Sequence, residues 1–224
     1  VFKEHNPANP LQRADAFRFL TQNLGQAFDL ALETKDTAYP LLHAFCTPTR
    51  KLGGDAADFT YRQAWIDGQH VYRVSGNTGT ARFLNFTVQG PRPATQPGTG
   101  WPSLHEPFGD IPEANLFKHQ IETNADGDFE LIVGGEQRGA NWLPTTPGSR
   151  KLFIRQGFDH WDETPAQLSI ERLDMAMPRP LPTPEQMIAA MAWAGDFLTG
   201  MMRDWPEHPY QYSSGVVDPT CLNQ

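Results

Sequence analysis

Cysteine is nearly absent from this chain: Cys46 and Cys221 are the only two among 224 residues. Two thiols cannot make a disulfide framework, and they lack the C-x-x-C spacing of a redox or zinc site. One bridge between them is allowed, but Cys221 stands three residues from the end of the sequence, where chains fray. Two reduced thiols are therefore expected, which weighs slightly toward the cytoplasm in an otherwise unassigned localisation. Long apolar runs are missing as well. Nothing approaches the roughly 18 residues of a membrane span, and the most apolar stretch, 187–202, is interrupted by Gly195, Asp196 and Gly200. No signal peptide is recognisable, although a start at Val1 rather than methionine leaves room for a removed segment. Basic charge is in deficit: Lys and Arg number 18 against 26 Asp and Glu, a net charge of −8. Such a balance argues against a nucleic-acid partner. Also missing are a dinucleotide-binding glycine fingerprint, a phosphate loop, a nucleophile elbow, a two-histidine zinc helix and a calcium loop. No cofactor is called for.

What is present is turn chemistry. There are 20 prolines and 19 glycines, about 17% of the chain and short of the roughly 25–30% of low-complexity sequence. Many turns imply many short strands. A chain of this length buries roughly 70–75% of its unfolded surface, enough for a core without a metal or disulfide staple.

The pattern along the chain divides into three. Residues 1–57 read as a helical segment packed on the core. Pro10 suits the first helical position after Asn9, and Leu11, Ala14, Phe17, Leu20, Leu24, Phe28 and Ala31 recur at helical spacing over 10–35. A short helix is expected at 40–45, stopping before Thr47-Pro48. Residues 58–177 read as an antiparallel β-sandwich, jelly-roll-like. The period becomes alternating at 59–66, Asp67-Gly68 signals a hairpin turn, and strands follow at 70–75 and 81–88 around the turn 76–79. Six prolines make 90–116 an irregular excursion. Strands return at 117–123 and, after Asp126-Gly127, at 129–133; a glycine-rich loop spans 134–149, and further strands are expected at 151–158 and 168–173. This is the spacing of a sandwich or barrel. Residues 178–224 read as a proline connector, a helix and an extended tail. Thr183-Pro184-Glu185-Gln186 opens the helix with a capping box, and Met187, Ile188, Met191, Ala194, Leu198, Met201 and Met202 are expected on its buried side.

The densest group of functional side chains is 157–163. Asp159 beside His160 is a candidate acid–base pair with Trp161 as an aromatic wall, against the plainer alternative of a charged turn whose side chains satisfy backbone donors. Arg155 would pair a carboxylate or a developing oxyanion, while Asn141 and Trp142 would orient and wall a ligand. Trp65, Trp101, Tyr61 and Tyr72 could line the same pocket, or simply fill a core. The 141–142 and 155–161 groups are separated by a strand of about eight residues, ~25 Å when straight. They meet only if the 134–149 loop folds back. His105, Glu106, Asp110 and His119 could be imagined as metal ligands, but their spacing matches no known site, so no metal is assigned. Asn85-Phe86-Thr87 matches a glycosylation acceptor at a mid-strand position that disfavours modification.

Three stretches together resemble a known family: residues 66–86, Asn141-Trp142-Leu143-Pro144, and Arg155 to Asp162 continuing through 165–173. With the helix beginning Pro10-Leu11-Gln12-Arg13-Ala14, they are similar to bacterial proteins of the domain-of-unknown-function 1214 group, companions of the 1254 group. The resemblance covers about residues 10–205. It implies a β-sandwich module with no agreed catalytic residues. Members are often longer and continue into a second β module, and this chain stops where that module would begin. Two readings stay open. One is an enzyme acting on a bulky apolar or glycan-like small molecule, with Arg155, Asp159 and His160 catalytic and Asn141, Trp142 and Trp161 binding substrate. The other is a non-catalytic binding or assembly module that pairs with a second β module or with its own copy.

Overall fold

The N-terminal helix α1 (Pro10–Phe28) starts where its capping signal lies: the Asn9 side chain accepts the Leu11 amide at 2.9 Å, with proline next in the first turn. The helix widens into a π-turn over Asp29–Glu33, closed by the Thr34 amide donating to the Asp29 carbonyl. The computed structural model describes residues 9–50, 56–91, 110–175 and 178–204. Its strands are β1 (His43–Cys46), β2 (Phe59–Trp65), β3 (Tyr72–Asn77), β4 (Phe83–Pro91), β5 (Asp110–Phe117), β6 (Asp128–Val133), β7 (Trp142–Leu143), β8 (Lys151–Gly157) and β9 (Gln167–Arg172). The helix α2 (Pro184–Asp204) follows them.

The strands make two sheets, ordered β1-β2-β8-β4-β5 and β7-β6-β3-β9. All pairings are antiparallel except the short one between β6 and β7. The expected mainly β sandwich with N- and C-terminal helices is what forms. Alternation decides which face is which. Leu152 and Ile154 of β8, with Leu84, Phe86 and Val88 of β4, point between the sheets. Tyr72, Val74, Phe129, Leu131 and Val133 meet them from the second sheet. Each such side chain contributes about 1.5–3 kcal/mol when fully buried. Residues one step along β8 and β2 point the other way, where a second apolar cluster joins Cys46 and Tyr61 to Leu30 and Ala31 of the π-turn and to Ala194, Phe197 and Met201 of α2. The helical pair therefore packs on the outer face of the five-stranded sheet. No helix among the described residues is long and apolar enough to cross a membrane.

Several local expectations need correction. Residues 43–46 are a strand, not the end of a short helix, because β1 gains a ladder on β2 (His43 opposite Gln63) that an isolated turn of helix would lack. Asp67-Gly68 does not close a hairpin. β2 and β3 lie in different sheets, and residues 66–71 arch between them. The arch is held by the Gly68 amide on the Ser149 carbonyl at 2.8 Å and by the Tyr72 hydroxyl, which accepts the Asp67 amide and donates to the Thr37 carbonyl. Burial raises the pKa of Tyr72. A Cβ on Gly68 would lie 1.8 Å from the Thr146 oxygen, so glycine is there for close approach. Strand β5 begins at Asp110, inside the stretch read as irregular, and ends at Phe117 where a strand was expected to start.

The helix faces are rotated too. In α1, Asn23, Gln26 and Ala27 are buried, while Leu11, Phe17, Leu24 and Phe28 are 40–77% exposed. In α2, Phe197 and Met201 are buried but Ile188 and Met191 are 68% and 58% exposed. The face that packs runs through Ala190, Trp193, Ala194, Phe197 and Met201 with Leu198 and Met202 beside it, so the expected stripe holds over the last two turns and gives way to Trp193 and Ala190 before them.

Candidate functional site

The 158–163 turn is built by Glu163, which the sequence reading counted in the 157–163 cluster without giving it a role. A Glu163 carboxylate oxygen accepts the backbone amides of Asp159 and His160 at 2.7 and 3.1 Å. The hydrogen bond from His160, then that from Asp159, holds its pKa below the usual value. Asp159, His160 and Trp161 share a small pocket of about 180 Å³ with Asp58 and Phe158. Yet Trp161 is fully exposed, and Asp159 lies 3.9 Å from an exposed Arg82. Asn141 and Trp142 are elsewhere. The Asn141 amide exchanges two hydrogen bonds with the Glu122 backbone, and Trp142 Nε1 donates to the Gly134 carbonyl. Trp142 stands opposite Ile132 on the outer side of the second sheet, one step from the inward Leu143 and Val133. Arg155 lies on the outer side of the first sheet, one step from the inward Ile154. Two layers about 10 Å apart separate them. The six residues thus fall in three places: Asn141 and Trp142 on one outer face, Arg155 on the other, and Asp159, His160 and Trp161 at the turn that links β8 to β9.

The larger cavity, a cleft of about 630 Å³, opens where the π-turn, the end of β2, the connector 179–182 and the first half of α2 converge. Its floor follows from the helix rotation. Trp193 on the packed face of α2 meets Trp65 at the end of β2 edge to face, centroids 5.6 Å apart and planes at 88°. Phe197, one turn on, stacks behind Trp193 at 5.3 Å. The ammonium of Lys35, just past the π-turn, lies 4.2 Å from both indole centroids. A cation over two ring faces is an attractive arrangement that also preorganises the charge. Trp65 Nε1 is buried with no hydrogen-bond partner. At the rim Arg179 pairs with Asp36 at 3.1 Å, and Asp36 also accepts the amides of Ala38 and Tyr39. The lining carries three cationic side chains, Lys35, Arg150 and Arg179, against the single carboxylate of Asp36. Arg150 is paired with Asp110 and Arg179 with Asp36, and the Lys35 ammonium sits over the rings. Among the described residues no histidine, cysteine or serine lines it. Its volume lies in the range of small-molecule sites.

Of the residues considered as metal ligands, His105 and Glu106 lie outside the described residues. Asp110 is committed to Arg150, with Nε at 2.9 Å, and to Lys151 at 3.2 Å, while His119 stacks on Phe117. Among the described residues no three His, Cys, Asp or Glu side chains could hold a metal ion. Asn85, the glycosylation candidate, is completely buried. Of the cleft residues only Trp65 was in view from the sequence. Trp193 and Phe197 carried a signal, an i, i+4 aromatic pair, that the methionine stripe obscured.

No protein-family model matches the chain, and neither does any curated protein. Among solved structures, an uncharacterised protein from Burkholderia cenocepacia matches with a TM-score of 0.74 at 33% identity, over 86% of this chain and 51% of that one. A protein from Vibrio parahaemolyticus matches at 13% identity with a TM-score of 0.33, over 78% of this chain and 48% of that one. The chain spans about half the length of these two structures.

Proposed function

We propose that this chain is a small-molecule-binding β-sandwich module of the domain-of-unknown-function 1214 group, whose cleft takes a bulky, ring-bearing, largely apolar ligand with an anionic group. The observation that carries the reading is the floor of the cleft. Two indoles at right angles offer wide apolar faces, and the Lys35 ammonium between them attracts an anion. The test is calorimetric titration with 2-naphthalenesulfonate and with neutral 2-naphthol. The sulfonate should bind more tightly, and Lys35→Met should erase the difference while leaving the naphthol affinity nearly unchanged. Equal affinities for the two probes in the unaltered protein would refute the reading.

The assembly reading is favoured by a different observation. Leu11, Phe17, Leu24 and Phe28 lie partly or largely exposed along α1, and the match covers only 51% of the Burkholderia cenocepacia chain. A module that docks through α1 should self-associate, or bind a second β module, in a way that Phe17→Ser with Leu24→Ser abolishes. Sedimentation velocity separates that behaviour from a monomer.

A further inference from the structure

The outer face of the five-stranded sheet carries a second arrangement, built around Arg155. Strand register sets Tyr61, Arg155, Asn85 and Phe117 side by side across β2, β8, β4 and β5. The row above is Phe59, Gly157 and Phe83, and the row below is Gln63, Phe153, Thr87 and Asn115. None of these residues is acidic. Five rings form an arc around the two central side chains. Centroids are 6.2 Å apart for Phe153 and Tyr61, 6.1 Å for Tyr61 and Phe59, 5.5 Å for Phe59 and Phe83, and 6.2 Å for Phe83 and Phe117. Gly157 makes the arc possible, since a Cβ there would lie 2.7 Å from the Phe59 ring.

Within the arc, hydrogen-bond donors outnumber their partners. Asn85 is completely buried, and its Oδ1 lies 2.7 Å from the Thr87 hydroxyl and accepts an Arg155 Nη2 at 3.4 Å. The single Thr87 proton serves only one of the Asn85 and Asn115 oxygens, each 2.7 Å away, so the Arg155 contact is what orients the Asn85 amide with Nδ2 as the donor, and Nδ2 is buried without a partner among the described residues. Arg155 Nε is buried without a partner as well, and among the described residues no carboxylate lies within ion-pair distance of this guanidinium. One row below, both polar atoms of the Gln63 amide are buried and unpartnered. Buried polar groups are nearly always satisfied and buried charges nearly always paired. A half-buried guanidinium beside an idle amide donor, inside an apolar fence, is the recognition chemistry of a planar two-oxygen anion.

We propose that this face is a binding site, separate from the Lys35 cleft, for the carboxylate of a ligand with a flat or extended apolar body. The carboxylate bonds to the accessible nitrogens of the Arg155 guanidinium, beside Asn85, and the body lies along the arc from Phe59 to Phe117. Two sources, an aryl acid and a fatty acid, share this chemistry and are separated by probe.

The experiment titrates 2-naphthoate, octanoate and neutral 2-naphthamide into the full chain, following heat and melting temperature. Variants are Arg155→Met, Arg155→Lys and, for the cleft, Lys35→Met. At least one of the two acids should bind and raise the melting temperature of the unaltered protein, and which of them binds more tightly names the source. The naphthamide should not. Arg155→Met should lose roughly tenfold to hundredfold in acid affinity, the value of a charged hydrogen bond. Arg155→Lys should retain part of it, and a Lys35→Met protein, with its cleft weakened, should still bind an acid in a way that adding Arg155→Met abolishes. Without ligand, Arg155→Met should melt no lower than the unaltered protein, because it removes an unpaired charge. Neither acid binding, equal binding of acid and amide, unchanged affinity in Arg155→Met, or a lower ligand-free melting temperature in that variant would each overturn the site. Loss of affinity in Lys35→Met alone would return the acid to the cleft.

Discussion

Removing the Phe197 ring should unfold this protein at a markedly lower temperature, whereas removing Met191 from the same helix should hardly register. Phe197 is completely buried, stacked on Trp193 and packed with Leu30, Ala31 and Met201. Truncating such a ring to alanine costs about 3–5 kcal/mol in lost transfer energy and residual cavity. A chain of this size loses roughly 2–4 °C per kcal/mol, so the melting temperature of Phe197→Ala should fall by on the order of 10 °C. Met191 is 58% exposed, and Met191→Ala should stay within about 0.5 kcal/mol, as surface changes do. Even Met191→Asp should be tolerated, because its carboxylate reaches water. Calorimetry or a urea melt on the three variants decides the matter. A loss of several kcal/mol for Met191→Asp together with less than about 1 kcal/mol for Phe197→Ala would refute the orientation of α2, and with it the cleft that Trp193 walls.

Gly68→Ala should destabilise by about 2 kcal/mol or more in a denaturant melt, since its Cβ meets a backbone oxygen in the arch between sheets rather than a movable side chain. His43 has its pKa lowered chiefly by burial, with Arg50 adding to that and Asp29 opposing it. Its contribution to stability is present above the ordinary value of 6.5 and is lost as pH falls below it. His43→Gln should flatten that part of the stability–pH curve, and an unchanged slope would count against a buried neutral imidazole. Glu163→Ala should speed amide hydrogen exchange at residues 159 and 160 while leaving the core amides alone.

The sandwich was legible because its strands keep period two regardless of how they connect. The alternating stretch 59–66 and the strand expected at 151–158 became β2 and β8, with Leu152 and Ile154 on one face and Arg155 on the other. Connectivity was less legible, because Asp67-Gly68 carries the same turn chemistry whether the chain returns beside itself or arches to another sheet. What distinguishes the two is Ser149 and Thr146, some 80 residues away on the neighbouring chain segment. Helix faces misled for a different reason. Hydrophobic spacing identifies an apolar stripe but not whether this chain covers it, and α1 buries Asn23 and Gln26 while Leu24 and Phe28 stay partly in water. Arg155 was visible as a candidate, yet its aromatic surroundings were not, since Phe59, Phe83 and Phe117 reach it only through strand register. The cleft needed three distant pieces, Lys35, Trp65 and Trp193, that no local motif joins.

The most direct measurement of the central claim is a crystal structure of the full chain soaked with 2-naphthalenesulfonate. The account predicts the naphthalene rings against Trp65 and Trp193 with the sulfonate turned toward Lys35. Finding the probe ordered at the 158–163 turn or on another face, with the cleft between α2 and β2 empty, would contradict it.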